Sequence, residues 1–191
     1  MDRRIGVRPG ARTDAFRPIS VAERSLAAER RQWIGLAIVA LAAGGADQLT
    51  KHVVASQVAL DTAVKLVGPF SIHHVQNSGI AFGLFSSATA IVIVLTTVAV
   101  AWMVVFFARS GARHPALPVA LGLLIGGSVS NLVDRVRLGH VTDFLDLRFW
   151  PAFNLADSFI VVGVGILLLA LISADHDPRR SRRVSDATAR P

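Results

Sequence analysis

Six carboxylates lie within residues 33–173, and four of them, Asp134, Asp143, Asp146 and Asp157, fall within residues 126–158. That stretch separates two long apolar runs, so its acids sit at or near a membrane. An ionisable side chain there is costly to place, which makes it a functional candidate. Asp143 lies in the β-prone run VTDFLDL, and Asp157 opens the next apolar run. The short link between them contains Trp150-Pro151, and a helix end can deliver the second carboxylate beside the first. Two adjacent carboxylates cannot both ionise cheaply and share one proton. The ionised member can take a proton from water while the protonated one polarises a carbonyl. That is the chemistry of an aspartic peptidase. Asn154, one turn before Asp157, can orient it or bind substrate backbone. A helix-opening acid is also commonly a cap, so Asp157 has a structural reading as well.

Other chemistries lack their residues. The chain has no cysteine, which excludes disulfides, thiol catalysis and thiolate metal sites. No glutamate follows Glu29, so there is no HExxH zinc motif. His140, three before Asp143, could join Asp143 and Asp157 on a metal, but a third well-spaced ligand is wanting, and no metal site is expected. His73 and His74 would point to opposite faces of a strand and are read as surface or packing residues. Gly126-Gly127-Ser128 is similar to a serine-protease glycine loop. It sits inside an apolar run with no histidine in reach, so packing glycines are the better reading.

The elements that must position these groups are membrane helices. Mean hydropathy is +0.53 and only 17% of residues are charged. Apolar runs at 33–54, 88–108, 116–135 and 155–173 each approach the roughly 20 residues that cross a bilayer core. The expected fold is an all-α polytopic membrane protein, four transmembrane helices with a small extracytoplasmic β-rich segment. Residues 55–87 supply that segment, with turns at Gly68-Pro69 and Asn77-Ser78-Gly79. Residues 137–153 form a second external segment. Asp47 and Lys51, four apart at the end of the first span, share a helix face and can pair. The pair reads equally as a salt bridge at a span's outer end or as the border of a site. Asp134 rivals Asp143 for the catalytic role. It adjoins Arg135, and a structural role through local pairing is preferred.

Charge orients the chain. Residues 1–32 hold eight arginines, residues 174–191 five, and the 109–115 turn two, out of 20 basic residues in all. The positive-inside tendency puts both tails and that turn in the cytoplasm, and Asp143 and Asp157 near the outer face. The chain divides into a basic tail (1–32, with capping-box spacing at Ser20–Glu23), a membrane peptidase domain (33–173) and a second basic tail (174–191). No recognition module accompanies the arginines, so they suit anionic lipid and not nucleic acid. The first apolar run contains Asp47 and lacks a small-residue cleavage site after it, unlike a cleavable signal peptide. A four-span transporter relaying protons would need acids spread through its spans, and here they gather at one face.

Four motifs, in order, resemble the lipoprotein signal peptidase (signal peptidase II) family of bacterial inner membranes. They are Asp47-Gln48-Leu49-Thr50-Lys51, Asn77-Ser78-Gly79-Ile80-Ala81-Phe82, residues 126–144, and Phe153-Asn154-Leu155-Ala156-Asp157-Ser158. The resemblance implies a catalytic pair at Asp143 and Asp157. It implies substrate-binding or supporting roles for Asp47, Lys51, Asn77, Gly79, Gly127, Asn131, Arg135, Asn154 and Ala156. Ser130 and Ile80 depart from the family's usual glycine and alanine, and both are expected to add bulk near the site. The implied substrates are prolipoproteins carrying diacylglyceryl-cysteine, cut just before that cysteine. The implied setting is membrane lipid and a monomer, with no metal or organic cofactor. Residues 55–87 would close over the peptide as a clamp.

Overall fold

The computed structural model describes residues 28–79, 89–110 and 114–175. The Ser20 capping box, Ile80 and most of both tails therefore lie outside the described residues, as does the part of the expected clamp at 80–88. Four helices follow the four apolar runs: α1 (Arg30–Gln57), α2 (Thr89–Ser110), α3 (Leu117–Leu138) and α4 (Leu155–Asp175). All four are long and apolar enough to cross a membrane. Helices satisfy every interior backbone group within the segment, which hydrocarbon demands. Their apolar side chains remain largely outward, as at Leu41, Trp102, Val161 and Leu169.

α3 is the central helix. Of an 18-residue apolar stretch in α3, 67% is buried, against 17%, 6% and 17% of the corresponding stretches in α1, α2 and α4. Small residues permit this. A Cβ on Gly126 would lie 2.5 Å from the Ala40 carbonyl oxygen, and one on Gly127 2.6 Å from that of Ala156. Close backbone approach, not a nucleophile loop, is what these glycines provide. Leu36, Leu121, Leu124, Ile125 and Phe107 then form the apolar core between the helices.

Outside the bundle, β1 (Ala63–Lys65), β2 (Ser71–Asn77) and β3 (Val141–Asp146) form one antiparallel sheet in that order. β1 and β2 make the expected hairpin, with Gly68 at φ +58 supplying its left-handed turn residue. β3 comes from the segment between α3 and α4 and pairs with β2. The register places Val75 opposite Asp143 and Asn77 opposite Val141, with an irregularity between Ile72 and Val75. Gly139, at φ +80, ends α3 and donates its N–H to the Arg135 carbonyl at 3.1 Å. That reversal lets β3 begin two residues later. The sheet therefore ties the C-terminal end of α1 to the C-terminal end of α3.

Candidate active site

The turn chemistry after β3 brings Asp143 and Asp157 together. Side chains two apart on a strand share a face, so Asn77 reaches Asp143 diagonally. Its Nδ2 donates to Asp143 Oδ2 at 2.9 Å. Asn77 Oδ1 accepts the Gly79 N–H at 3.0 Å, the expected turn. Beyond β3, Asp146 Oδ1 accepts the Arg148 N–H at 2.8 Å, and Arg148 sits at φ +63. The chain doubles back there, and Phe153 bridges Leu145 through backbone hydrogen bonds of 2.7 and 3.0 Å. Asn154 thus emerges beside Asp143.

Asn154 is fully buried and touches both carboxylates' surroundings. Its Nδ2 donates to Asp143 Oδ1 at 2.7 Å and to Asn131 Oδ1 at 3.1 Å. It is also the residue preceding α4, and it exchanges bonds with Asp157. Its Oδ1 accepts the Asp157 N–H at 3.0 Å, while its own N–H donates to Asp157 Oδ2 at 3.2 Å. This reciprocal pattern is a capping box with aspartate at the third helical position. Asp157 is therefore a cap, and the same geometry turns it toward the site. Asn131 Nδ2 donates to Asp157 Oδ1 at 2.8 Å.

A layer of buried charge holds those amides in place. Lys51 Nζ lies 2.6 Å from Asp47 Oδ2, 2.8 Å from Asp134 Oδ2 and 2.8 Å from Asn131 Oδ1. The ammonium has three donors and no acceptor, so Asn131 must present its oxygen to Lys51 and its NH2 to Asp157. Asp47 Oδ1 accepts the Ala156 N–H at 2.8 Å, fixing the first turn of α4. Gly127 leaves room for that turn, since any side chain there would meet Ala156. Arg135 donates to the carbonyls of Asn131 and Gly79, both at 3.4 Å, linking α3 to the end of the β2 turn. Among the described residues no buried side-chain polar atom lacks a partner, as a dry polar cluster requires.

Burial is the main influence on Asp143, pushing its carboxyl up to about 6. The charge of Asp157 pushes the same way. The amides of Asn77 and Asn154 and the Lys51 ammonium pull it back. Two openings meet the pair. An apolar cavity of about 530 Å³ runs from Asp157 past Phe153, Trp150 and Val161. A cleft of about 340 Å³ is lined by Asp143, Asn77, Gly79 and Pro151.

All eleven site residues expected from sequence thus gather at one end of the bundle. Two details differ from expectation. Asp134 pairs with Lys51 and accepts from Gln48 Nε2 at 2.7 Å, whereas Arg135 donates to Asn131 and Gly79; the neighbouring helix α1 supplies the counter-ion. Ser130 does more than add bulk. Its hydroxyl donates to Asp47 Oδ2 at 2.7 Å and accepts from Gln48 Nε2 at 3.0 Å. Gln48, quoted only within the first motif, and Ser130, expected only to add bulk, both hydrogen-bond within the cluster. His74 Nδ1 lies 2.8 Å from the Val58 carbonyl and His73 3.5 Å from Asp146, which is packing. Among the described residues no group of three or more His, Asp or Glu is placed to hold a metal ion.

The family model of peptidase family A8, signal peptidase (SPase) II, matches residues 37–173. The chain belongs to this family. Signal peptidase II is an aspartic peptidase that removes signal peptides from prolipoproteins, and four candidate spans make this member a multi-pass membrane protein. The lipoprotein signal peptidase of Symbiobacterium thermophilum is 41% identical over 149 residues, covering 75% of this chain and 95% of that protein. That of Dehalococcoides mccartyi strain BAV1 is 42% identical over 135 residues, covering 68% and 84%. A bacterial membrane enzyme structure obtained by the in meso method at 2.3 Å resolution superposes with a TM-score of 0.70 at 27% identity, over 74% of this chain and 89% of that one.

Proposed function

We propose that this signal peptidase II cuts diacylglyceryl-modified prolipoproteins just before the lipidated cysteine, with Asp143 and Asp157 as its catalytic pair. The observation that carries the assignment is the Asn154 bridge, which donates to one carboxylate and caps the helix bearing the other. The two have different surroundings. Asp157 accepts from Asn131 Nδ2 and a backbone N–H at a helix N-terminus, which favours its charge. Asp143 lies in a strand with no helix N-terminus beside it, and burial raises its carboxyl to about 6. On this reading the helix N-terminus makes Asp157 the base and leaves Asp143 as the acid. Water attacks the scissile carbonyl carbon, giving its proton to Asp157 while Asp143 donates to the carbonyl oxygen. The intermediate collapses, the C–N bond breaks, and the leaving amine takes the proton from Asp157. Asp143 recovers its own as the new carboxyl forms. One proton remains on the pair, and the products are a carboxyl-ended signal peptide and a cysteine with a free amine.

The cavities suit that substrate. The apolar one beside Asp157 faces the lipid side of α4 and matches acyl chains, while the cleft beside Asp143 matches peptide. The enzyme works as a monomer in the bacterial inner membrane, with both tails cytoplasmic and the pair near the outer face. The test is cleavage of a diacylglyceryl prolipopeptide by the purified protein. Asp143→Asn and Asp157→Asn should each abolish it, and the double variant should be no worse than either single, since the two act as a unit. EDTA should change nothing. Loss to chelator restored by zinc would overturn the mechanism, and an active Asp143→Asn with an inactive Asp134→Asn would move the pair. Reporter fusions at about residues 10 and 185 should read cytoplasmic, and those near Ala63 and Arg148 external.

A further inference from the structure

Ser130 lies in the middle of α3, is 2% exposed, and touches neither carboxylate of the proposed pair. Its hydroxyl closes a ring of buried contacts between α1 and α3. Ser130 Oγ donates to Asp47 Oδ2 at 2.7 Å and accepts from Gln48 Nε2 at 3.0 Å. Gln48 Nε2 lies 2.7 Å from Asp134 Oδ1 and 3.3 Å from the Ser130 carbonyl. With acceptors only around it, that end of the side chain must be the NH2. Lys51 closes the ring between Asp134 and Asp47. The ring reaches α4 by two routes: Lys51 through Asn131 to Asp157, and the other oxygen of Asp47, which accepts the Ala156 N–H one residue before Asp157.

Without Ser130, Asp47 Oδ2 would keep only the Lys51 ammonium at the end of a flexible stem, and the carboxylate could turn about its remaining contact to the Ala156 N–H. A second donor from the helix wall fixes its plane, and so fixes where the other oxygen points. We propose that Ser130 is a positioning residue: its hydroxyl, donated to Asp47 Oδ2, keeps Asp47 Oδ1 on the Ala156 N–H and so seats the first turn of α4, with Asp157, against α3. The inference rests on the Asp143–Asp157 assignment for its effect on rate, but the geometry it describes stands without it.

Replacement by alanine and by glycine separates this from a packing role. Alanine removes the donor and fills the space of the Cβ, leaving a gap too small for solvent. Glycine removes the whole CH2OH, about the volume of one water, and the space is lined by Asp47 Oδ2 and Gln48 Nε2. A water there restores part of the contact. Ser130→Ala should therefore lower kcat about tenfold at unchanged KM, the scale of one withdrawn hydrogen bond to a charge. Ser130→Gly should lower it less, about threefold. A purely structural serine predicts the reverse order, because glycine is the worse residue in a helix interior. In an Asp47→Asn background Ser130→Ala should cost no further activity, since the hydroxyl acts through Asp47. Amide exchange at Ala156 should speed up in Ser130→Ala whichever carboxylates react, and this readout separates failure of the inference from failure of the catalytic assignment. Glycine worse than alanine in kcat, an unchanged kcat in both, or unaltered exchange at Ala156 would each overturn the proposal.

Discussion

Asp143→Asn should erase cleavage and, in the same protein, erase a pH dependence of stability. Asparagine keeps the shape of the side chain but titrates nowhere near neutrality. In the native protein Asp143 is raised from 3.8 to about 6. A folded-state value above the unfolded one means the group stabilises the fold fully below the unfolded value. That stability is lost as pH rises through the folded value. The shift corresponds to about 3 kcal/mol. The asparagine also turns its NH2 toward one of the two donors, Asn77 Nδ2 or Asn154 Nδ2, that the carboxylate had accepted. That mismatch costs about 1–3 kcal/mol but is the same at every pH. The wild type should therefore gain about 2.4 kcal/mol on the variant between about pH 8 and about pH 4, and the full amount of about 3 kcal/mol by about pH 3. Unfolding both proteins in identical mixed micelles across that range measures the difference, in which titrations common to both cancel. The change belongs to the coupled pair as a whole. Activity of the variant should fall below about one thousandth of wild type. A difference that stays flat with pH, or a wild type that gains as pH rises, would refute the argument from burial.

The same geometry sets the remaining expectations. The Asn77 amide favours the charged form of Asp143, so Asn77→Ala should move the alkaline limb of the rate profile to higher pH while lowering its maximum; a limb that moves down would contradict the assignment of the shared proton. Lys51→Met leaves Asp47 and Asp134 buried without their cation and should destabilise the protein by about 3–5 kcal/mol in micelle unfolding. Asp134→Asn should lower stability or protein level yet keep part of its activity per folded molecule, as kinetics on active-fraction-corrected enzyme would register. Deleting residues 1–28 should leave cleavage of the lipidated peptide largely intact, because the family match begins at residue 37.

The helices were legible because a bilayer imposes length and apolarity, and those are one-dimensional properties. The expected spans agree with α1 to α4 to within a few residues at each end. The capping of α4 was equally local: Asn154 and Asp157 are three apart, and their mutual bonds need no distant partner. The paired Asp47 and Lys51 followed from helical spacing alone. What sequence could not carry was any contact between elements whose order in space spacing does not encode. β3 joined β2 because Gly139 reverses the chain after α3, and the pairing of strands 64 or more residues apart leaves no local mark. Asp134 was matched to its neighbour Arg135, yet tertiary packing set Lys51 of α1 closer to it. Ser130 read as added bulk, because only the approach of α1 at Gly126 reveals that its hydroxyl faces Asp47. Sequence thus determined which residues could be reactive and which segments cross the membrane. Tertiary structure decided their hydrogen-bond partners, because burial and proximity are properties of the packed chain.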